Sequence, residues 1–224
     1  MSDQATRVAL VEDHVLLAES MYLALSAEGF ATRTVTVPPD AEGVAEMLDP
    51  ILDHRPDVVL LDLDLGAAGD GTALVRPLTN AGCAVVVVTG ASEKTRWGKC
   101  LANGARTVLP KAASLDVIVG TVRGVAAGEP VIPEARRYEL IQNWQRQRND
   151  NQDMRAKLDR LTPREAEVLA ALSEGKRVRD IASESYVSEA TVRTQVKSVL
   201  AKLGVTSQIA AVAFARELDW RPSG

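Results

Sequence analysis

The first 130 residues alternate between short apolar runs and longer segments whose apolar residues recur every three or four positions. Runs rich in Val and Leu are typical of strands buried on both faces, and the wider spacing is typical of helices that bury one face. The pattern predicts strands at 7–11, 31–37, 58–61, 84–88 and 106–109. It predicts helices after these strands at 15–27, 41–53, 72–80, 92–102 and 114–127.

Strands that alternate with helices in this way specify a parallel sheet covered by helices on both sides. We therefore predict that residues 1–130 form an α/β doubly wound, flavodoxin-like domain with a five-stranded parallel sheet. Ligand chemistry in such a sheet gathers at the carboxyl ends of the strands. The polar residues that follow each strand are therefore the first candidates for function.

Residues 131–160 form the predicted joint between two domains. Pro130 and Pro133 end the first domain, and the polar stretch that follows allows two interpretations. The first interpretation is a flexible linker. The second is a helix, which is favoured by the absence of Gly and Pro between 134 and 161 and by a heptad pattern typical of a short coiled coil. The seam positions are Leu140, Trp144, Gln147, Asn151, Met154, Leu158 and Leu161.

Residues 161–224 show helical spacing and predict a small all-α domain. Thr162, Pro163 and Glu165 stand in the order of an N-cap, a first-turn proline and a capping-box acid. The pattern predicts a helix from Thr162 to Gly175, a short one around 178–182, a long one from Ser188 to Gly204 including both caps, and a last one over about 207–218. Short helices joined by a tight turn to a longer third helix are typical of a helix-turn-helix domain.

Composition excludes several classes of protein. With 46% hydrophobic and 25% charged residues, the chain resembles an ordinary globular protein. No apolar run approaches the roughly 20 residues that cross a bilayer, and no secretory signal is recognisable, so we expect a cytoplasmic protein without a membrane segment. Cys83 and Cys100 form no disulfide framework, and His14 and His54 are too isolated in sequence to indicate a metal cluster.

The net charge of −4 is unevenly distributed. Residues 1–133 carry 10 Lys and Arg against 17 Asp and Glu, a net charge of −7, whereas the remaining residues carry 16 against 13, a net charge of +3. This asymmetry indicates separate tasks for the two halves, with a polyanion as a partner of the second.

Polar residues follow four of the predicted strands. Glu12 and Asp13 come after the first strand, Asp62 after the third, Thr89 after the fourth and Lys111 after the fifth. We expect them at one crevice, where clustered carboxylates need a hard cation and oxygen ligands favour Mg²⁺. An aspartate there can attack a phosphoryl group and form an acyl phosphate, while the lysine and the threonine stabilise the transferred oxygens.

This order of residues resembles the receiver domain of two-component response regulators across residues 6–128. The resemblance implies that Asp62 accepts a phosphoryl group from the phosphohistidine of a sensor histidine kinase. It implies that Thr89 is the switch hydroxyl and that Lys111 pairs with the phosphoryl group. It implies a Mg²⁺ site formed by Glu12, Asp13, Asp62 and the backbone carbonyl of Asp64.

Two alternatives remain open. Val108 stands where receivers usually carry an aromatic switch residue, so the protein is alternatively a phosphorylation-independent transcription factor with an atypical receiver. The pair Asp62 and Asp64 also resembles the DxD nucleophile pair of haloacid-dehalogenase-like phosphatases, whose DxD strand comes first in the chain. Because an acidic pair precedes it here, we favour the regulator and predict no enzyme.

The long predicted helix has an apolar face and a basic face, the latter carrying Arg193, Thr194, Lys197, Ser198 and Lys202. The run from Leu161 to Arg216 resembles the LuxR/FixJ-type DNA-binding domain. The matching residues are Leu-Thr-Pro-Arg-Glu at 161–165, Glu167-Val168-Leu169, Gly175, Ile181-Ala182, Val187-Ser188, Thr191-Val192 and Lys202-Leu203-Gly204-Val205. The resemblance implies a predicted DNA-binding set of Arg177, Arg179, Ser188, Thr191, Arg193, Thr194, Lys197 and Lys202.

Together the two resemblances imply a DNA-binding transcriptional response regulator that is switched by phosphoryl transfer to Asp62. The implied division is a receiver at 1–130, a linker at 131–160 and a LuxR-type domain at 161–224. The implied partners are promoter DNA, a sensor histidine kinase and, in the active state, a second copy in a homodimer. Its two recognition helices would then lie about 34 Å apart, one turn of DNA.

Overall fold

The computed structural model describes residues 5–38, 43–90 and 94–222. It divides into two compact units, Met1–Gln145 and Arg146–Gly224. In the described residues, no single helix is both long and apolar enough to span a membrane, although one bent pair, Glu189–Leu203 with Gln208–Glu217 at 61°, has the required length and composition when taken together.

The first unit is built on one parallel sheet, as predicted. Its strands are β1 (Arg7–Val11), β2 (Ala31–Val35), β3 (Val58–Leu61), β4 (Ala84–Thr89) and β5 (Thr107–Pro110). They lie in the order β2-β1-β3-β4-β5, with every neighbouring pair parallel. The helices are α1 (Val15–Ala27), α2 (Leu48–Leu52), α3 (Thr72–Asn80), α4 (Lys94–Ala102) and α5 (Leu115–Ala126). The doubly wound fold class is thereby confirmed.

The second helix differs most from its predicted range of 41–53. Residues 41 and 42 lie outside the described part of the chain, and the rest consists of a 3-10 turn at Val44–Met47 followed by the short α2. Pro50 has no N–H to donate to the carbonyl of Glu46, and it lies in the first turn of α2, where a missing N–H is tolerated. Similarly, residues 92 and 93 of the predicted fourth helix lie outside the described residues.

Both faces of the sheet are buried. Alternate residues of a strand point to opposite faces, so each strand contributes side chains to two apolar clusters. Val59 and Leu61 of β3 join one apolar cluster with α2, α3 and α4. Val58 and Leu60 join a second cluster with α1 and α5. Every residue of β3 therefore has to be apolar, and the first polar side chain, Asp62, comes where the strand ends.

The joint between the predicted domains is helical. Helix α6 (Glu134–Leu158) occupies it, so the flexible interpretation is wrong for these residues. Leu140 is buried in the core of the first unit, and Leu158 is buried in the core of the second. The apolar ends of the predicted coiled-coil seam are therefore covered within the chain. Between them, residues 145–150 are exposed.

Helix α6 is fixed to the first unit by its N-terminal half. The Arg137 guanidinium donates to the carbonyl oxygens of Leu101 and Ala105, both at 2.9 Å. Gly98 of α4 lies so close that a Cβ there would be 2.2 Å from the Leu140 carbonyl oxygen. Glycine at this position is therefore a packing requirement.

The second unit contains the C-terminal part of α6, followed by α7 (Pro163–Ser173), α8 (Val178–Glu184), α9 (Glu189–Leu203) and α10 (Gln208–Glu217). The predicted capping box is present, with Thr162 accepting from the Glu165 N–H and Glu165 accepting from the Thr162 N–H. Ser188 caps α9, and Gly204 ends it in the left-handed conformation. Helix α9 packs between two apolar clusters, to which it contributes Val192 on one side and Val199 with Leu203 on the other.

Candidate functional site

The sheet brings three carboxylates together at the carboxyl ends of β1 and β3. These strands are neighbours, with Val11 paired to Leu61, so Glu12 and Asp62 follow at the same level. Ligand atoms of Glu12, Asp13, His14 and Asp62 all lie within 4.8 Å of one another. The sequence therefore predicted correctly that the residues after these two strands share one place.

Lys111, which follows β5, reaches the same cluster. Its Nζ lies 2.7 Å from Glu12 Oε1 and 2.7 Å from Asp62 Oδ2. Burial lowers the pKa of Lys111, but the interactions with Asp62 and Glu12 outweigh it, so the pKa is raised and the ammonium stays charged. One cation is therefore shared by two carboxylates whose side chains are at most 2% exposed.

The cluster still has oxygen atoms to offer. Within the described residues, Glu12 Oε2 is buried and has no hydrogen-bond partner. Asp62 Oδ1 accepts from the Leu63 N–H at 2.7 Å, whereas Asp62 Oδ2 has the Lys111 ammonium beside it without the angles of a hydrogen bond. A buried orphaned carboxylate oxygen is costly, and an all-oxygen donor set suits a hard divalent cation. The residues present therefore fit a magnesium ion.

His14 belongs to this cluster although it is isolated in the sequence. Its Nδ1 lies 2.7 Å from Asp13 Oδ1 and 3.0 Å from Glu12 Oε1. The hydrogen bond to Glu12 raises the pKa of His14, and the nearby Lys111 opposes that rise. His14 was judged too isolated in the sequence to indicate a metal cluster, but the turn after β1 brings its ring against the carboxylates of Glu12 and Asp13.

Asp64 lies on the loop after β3, and its side chain is 57% exposed. Its Oδ1 accepts a hydrogen bond at 3.0 Å from Arg96 of α4, which also donates to Asp70 Oδ1 at 3.0 Å and to the Leu63 carbonyl oxygen at 3.3 Å. Arg96 thus clamps the acid-bearing loop to α4. Sequence analysis missed Arg96, since a lone arginine on a helix surface gives no signal.

The same loop depends on a glycine. The Gly71 N–H donates to the Leu63 carbonyl oxygen at 2.8 Å, and a Cβ on Gly71 would lie 2.3 Å from the Asp62 carbonyl oxygen. The loop therefore closes directly beneath Asp62, where only glycine leaves enough room.

Thr89 is the last residue of β4 and is 1% exposed. Its carbonyl oxygen accepts a hydrogen bond at 2.9 Å from the backbone N–H of Lys111. Val108 of β5 is buried in the core of the first unit at 8% exposure. The position of the usual aromatic switch residue is therefore filled by a small apolar side chain that packs inside.

A cleft of about 1020 Å³ adjoins the carboxylates. Asp13 and Gly66 are among the residues that line it, and α1 contributes an apolar wall. Two residues of that wall, Val15 and Leu23, are 68% and 67% exposed. Exposed apolar side chains of this size beside a reactive site are typical of a surface that binds another protein.

In the second unit, the predicted base-contacting residues of α9 are exposed. Arg193 pairs with Glu189 one turn earlier at 3.1 Å, the Thr194 hydroxyl donates to the Ala190 carbonyl oxygen, and Lys197 is exposed on the same helix. The two predicted phosphate-contacting residues, Arg177 and Arg179, are exposed at the start of α8.

Three residues of the predicted DNA-binding set have roles inside the unit. Ser188 caps α9 by accepting from the Thr191 N–H at 3.1 Å, and the two hydroxyl groups lie 2.9 Å apart. Lys202 donates to Glu165 Oε2 at 2.6 Å. Because Glu165 is buried, Lys202 supplies the charge that it needs, a role that the sequence did not predict.

Glu165 is the centre of this internal network. It accepts hydrogen bonds from Lys202 and from the Ser198 hydroxyl, and it accepts from the Thr162 N–H at 2.8 Å. Burial raises the pKa of the carboxyl group, but these donors outweigh burial and lower the pKa to about 2. Glu165 therefore stays ionised and ties α7 to α9.

The fold and the acidic site define a receiver-type signalling unit followed by a helix-turn-helix unit. The family model of the response regulator receiver domain matches residues 8–123, and the model of the bacterial regulatory proteins of the luxR family matches residues 159–215. The chain belongs to the response regulators that join a receiver domain to a luxR-type DNA-binding domain. This is a family of transcription factors rather than enzymes, which decides against the phosphatase interpretation.

Curated relatives match over nearly the whole chain. The probable transcriptional regulatory protein NarL of Mycobacterium tuberculosis is 31% identical over 213 residues, which cover 95% of this chain and 94% of that protein. The transcriptional regulatory protein DegU of Brevibacillus brevis is 25% identical over 98% of this chain and 97% of its own.

Solved structures show the same fold. RcsB of Salmonella typhimurium has a TM-score of 0.50 at 20% identity, with 95% of this chain and 98% of that chain covered. A complex of the response regulator RcsB with DNA has a TM-score of 0.50 at 21% identity, with the same coverage.

Proposed function

We propose that Asp62 is the phosphoryl acceptor of this transcription factor and that a sensor histidine kinase is the donor. The observation that carries the proposal is a buried carboxylate whose Oδ2 is held 2.7 Å from the Lys111 ammonium at the rim of the sheet. A carboxylate oxygen in this place can attack the phosphorus of a phosphohistidine, so that an O–P bond forms while the N–P bond breaks and the imidazole of the kinase leaves. The ammonium can then neutralise charge on the transferred oxygens.

A magnesium ion is the proposed cofactor of this transfer. Glu12, Asp13, Asp62 and the backbone carbonyl of Asp64 would hold it, and the ion would neutralise the oxygens of the phosphoryl group. The orphaned Glu12 Oε2 supports this assignment. Thr89, at the end of the neighbouring strand β4, is the proposed hydroxyl that hydrogen-bonds the new phosphoryl oxygens.

The apolar wall of α1 supports a protein as the phosphoryl donor. A donor that carries a phosphohistidine has to bring it to Asp62, and the cleft beside Asp13 offers exposed apolar surface for such docking. We propose that both this transfer and promoter binding take place in the cytoplasm.

For the output, we propose that α9 enters the major groove of promoter DNA. Arg193, Thr194 and Lys197 would face base edges, and Arg177 and Arg179 would contact phosphates. Ser188, Thr191 and Lys202 would act mainly by holding the helix in place. The phosphoryl group carries roughly 1.5–2 negative charges in place of the single charge of the Asp62 carboxylate. We propose that this change reshapes the surface formed by α4, β5 and α5, and that two chains then pair as a homodimer on the two half-sites.

The division of labour follows the predicted limits. We propose that residues 1–130 receive the phosphoryl group, that 131–160 connect the domains, and that 161–224 bind DNA.

Buried Val108 favours one alternative. With no aromatic side chain there to move with Thr89, the regulator would bind DNA equally well with and without phosphate on Asp62. Titration of a promoter duplex with the acetyl-phosphate-treated and untreated protein separates the alternatives, because only the switched protein gains affinity on treatment.

The proposal for Asp62 is tested by Asp62→Asn in the full chain with labelled acetyl phosphate and Mg²⁺. We expect the label to be lost, since the amide is a poor nucleophile. Asp64→Asn is the matched control and is expected to retain the label, because only the backbone carbonyl of that residue is assigned to the site. Label retained by Asp62→Asn would move the acceptor to another residue.

A further inference from the structure

The helices of the second unit end in a common backbone motif, in which a left-handed residue follows the helix and two N–H groups bond back to its last turn. Gly175 after α7 and Gly204 after α9 take this conformation, with φ of 86° and 72°. Tyr186 takes it after α8, with φ of 54°, and Asp219 after α10, with φ of 45°.

The motif at Tyr186 is complete. Its N–H donates to the Ser183 carbonyl oxygen at 3.2 Å, and the Val187 N–H donates to the Ala182 carbonyl oxygen at 3.0 Å. For a residue with a Cβ, the left-handed conformation is strained, and a bulky aromatic residue is an unusual occupant. Glycine would make the same two hydrogen bonds without that strain.

No contact among the described residues compensates for the strain at Tyr186. The residue is 96% exposed, and its side chain makes no hydrogen bond to another residue in the described part of the chain. Strain at a residue that supports no internal packing is a reason to look for a role outside the protein.

The position of Tyr186 indicates which role. It lies in the turn between α8 and α9, two residues before Ser188, the N-cap of α9. The N-terminal end of a recognition helix reaches the base edges, so the residues just before it run close to the sugar-phosphate backbone. Tyrosine hydroxyl groups are among the donors that contact DNA phosphates.

We propose that Tyr186 is a DNA-positioning residue, whose hydroxyl donates a hydrogen bond to a phosphate oxygen beside the groove that α9 enters. The inference rests on the proposed DNA binding. Since the phenol is neutral, it releases no counterion from DNA, and its loss should leave the salt dependence of binding unchanged. This distinguishes Tyr186 from an arginine that contacts a phosphate.

The test compares the full-length wild type with Tyr186→Gly on a short duplex selected from a random pool by the wild-type protein. Relief of the strained backbone should raise the Tm of the variant, while its affinity should fall about tenfold with the same slope of log K against log salt. Tyr186→Phe keeps the backbone and the ring, and it should lose most of the same affinity without the rise in Tm.

Asp219→Gly is the matched control, because it relieves the same conformation at the end of α10. It should raise the Tm without weakening DNA binding. Unchanged affinity of Tyr186→Gly, or a lowered Tm, would overturn the inference while the proposed DNA binding stands. A wild-type protein that selects no duplex would overturn the proposed function itself.

Discussion

The two candidate sites differ in where their charges find partners. In the first unit, Glu12 and Asp62 are almost fully buried and share the Lys111 ammonium. In the second unit, Arg177, Arg179 and Lys197 are exposed, and the ion pairs of this surface, Arg179 with Asp180 and Arg193 with Glu189, are themselves exposed. A buried charged group needs a partner of opposite charge inside the same unit, so its chemistry can be inferred from the distances between side chains. A surface that binds DNA takes its counter-charge from outside, so its function is inferred from position.

The largest effect expected from this comparison concerns the buried site. Lys111→Met leaves two buried carboxylates without a cation and should lower the free energy of unfolding of the first unit by about 4 kcal/mol. Mg²⁺ should restore much of the loss, because the proposed ion would bind the carboxylates only in the folded state. Thermal unfolding with and without Mg²⁺ measures both. Lys99→Met, whose side chain is 42% exposed, is the control and should cost far less.

The internal network of the second unit gives the next effect. Glu165→Gln should lower the free energy of unfolding at neutral pH by about 3 kcal/mol, because the pKa of Glu165 is about 2 when folded, against 4.5 for the ordinary carboxyl group. Because the pKa of Glu165 is lower in the folded state, its carboxylate stabilises the folded protein fully at pH values above the unfolded pKa. This stabilisation is lost as the pH falls towards the folded pKa. The stability gap between wild type and variant should therefore shrink between about pH 4.5 and pH 2 in urea titrations. A gap that stays constant with pH would contradict the network.

At the exposed surface, effects should appear in binding and not in stability. Lys197→Ala should weaken promoter binding by about 1–3 kcal/mol if Lys197 contacts a base, with an unchanged Tm. Electrophoretic mobility shifts on the selected duplex and on mutated versions of it provide the measurement. Arg221→Ala removes one positive charge elsewhere in the unit, from a side chain that is 84% exposed, and is the control. An equal loss of DNA affinity in both variants would mean that Lys197 contributes only its positive charge and contacts no base.

The smallest effect should come from a phosphate contact. Arg177→Ala should weaken binding to all sequences alike and should reduce the slope of log K against log salt by about one. The slope is measured by repeating the titration over a range of salt concentrations. A change in sequence preference, with the slope unaltered, would mean that Arg177 reads a base instead.

Sequence reasoning succeeded where a signal is local. A residue that ends an apolar strand, such as Asp62, stands at the sheet rim because every earlier position in the strand must be buried. The caps at Thr162 and Ser188 were recognisable because the acceptor and its donor are three residues apart. The fold class followed from the same alternation, since parallel strands need helical connections.

It missed contacts between side chains that are far apart in the sequence. Arg96 was overlooked because its contact with Asp64 spans 32 positions and arises only when α4 packs beside the loop. Lys202 was assigned to the DNA surface from its place on the basic face, and the structure pairs it with Glu165, 37 positions earlier. Helix α6 carried a heptad pattern, yet packing within each unit covers its apolar ends.

By itself, the sequence determined the order of strands and helices, the caps at their ends and the acids that follow the strands, because each depends on hydrogen bonds and burial among near neighbours. The sequence already placed Lys111 in the same crevice as the acids. Only the tertiary structure decided that its ammonium pairs with both Glu12 and Asp62, that His14 joins the acids, and that Tyr186 is exposed in a strained turn. The physical reason is that distances between remote side chains are set by how the helices pack on the sheet and on one another, which local spacing does not encode.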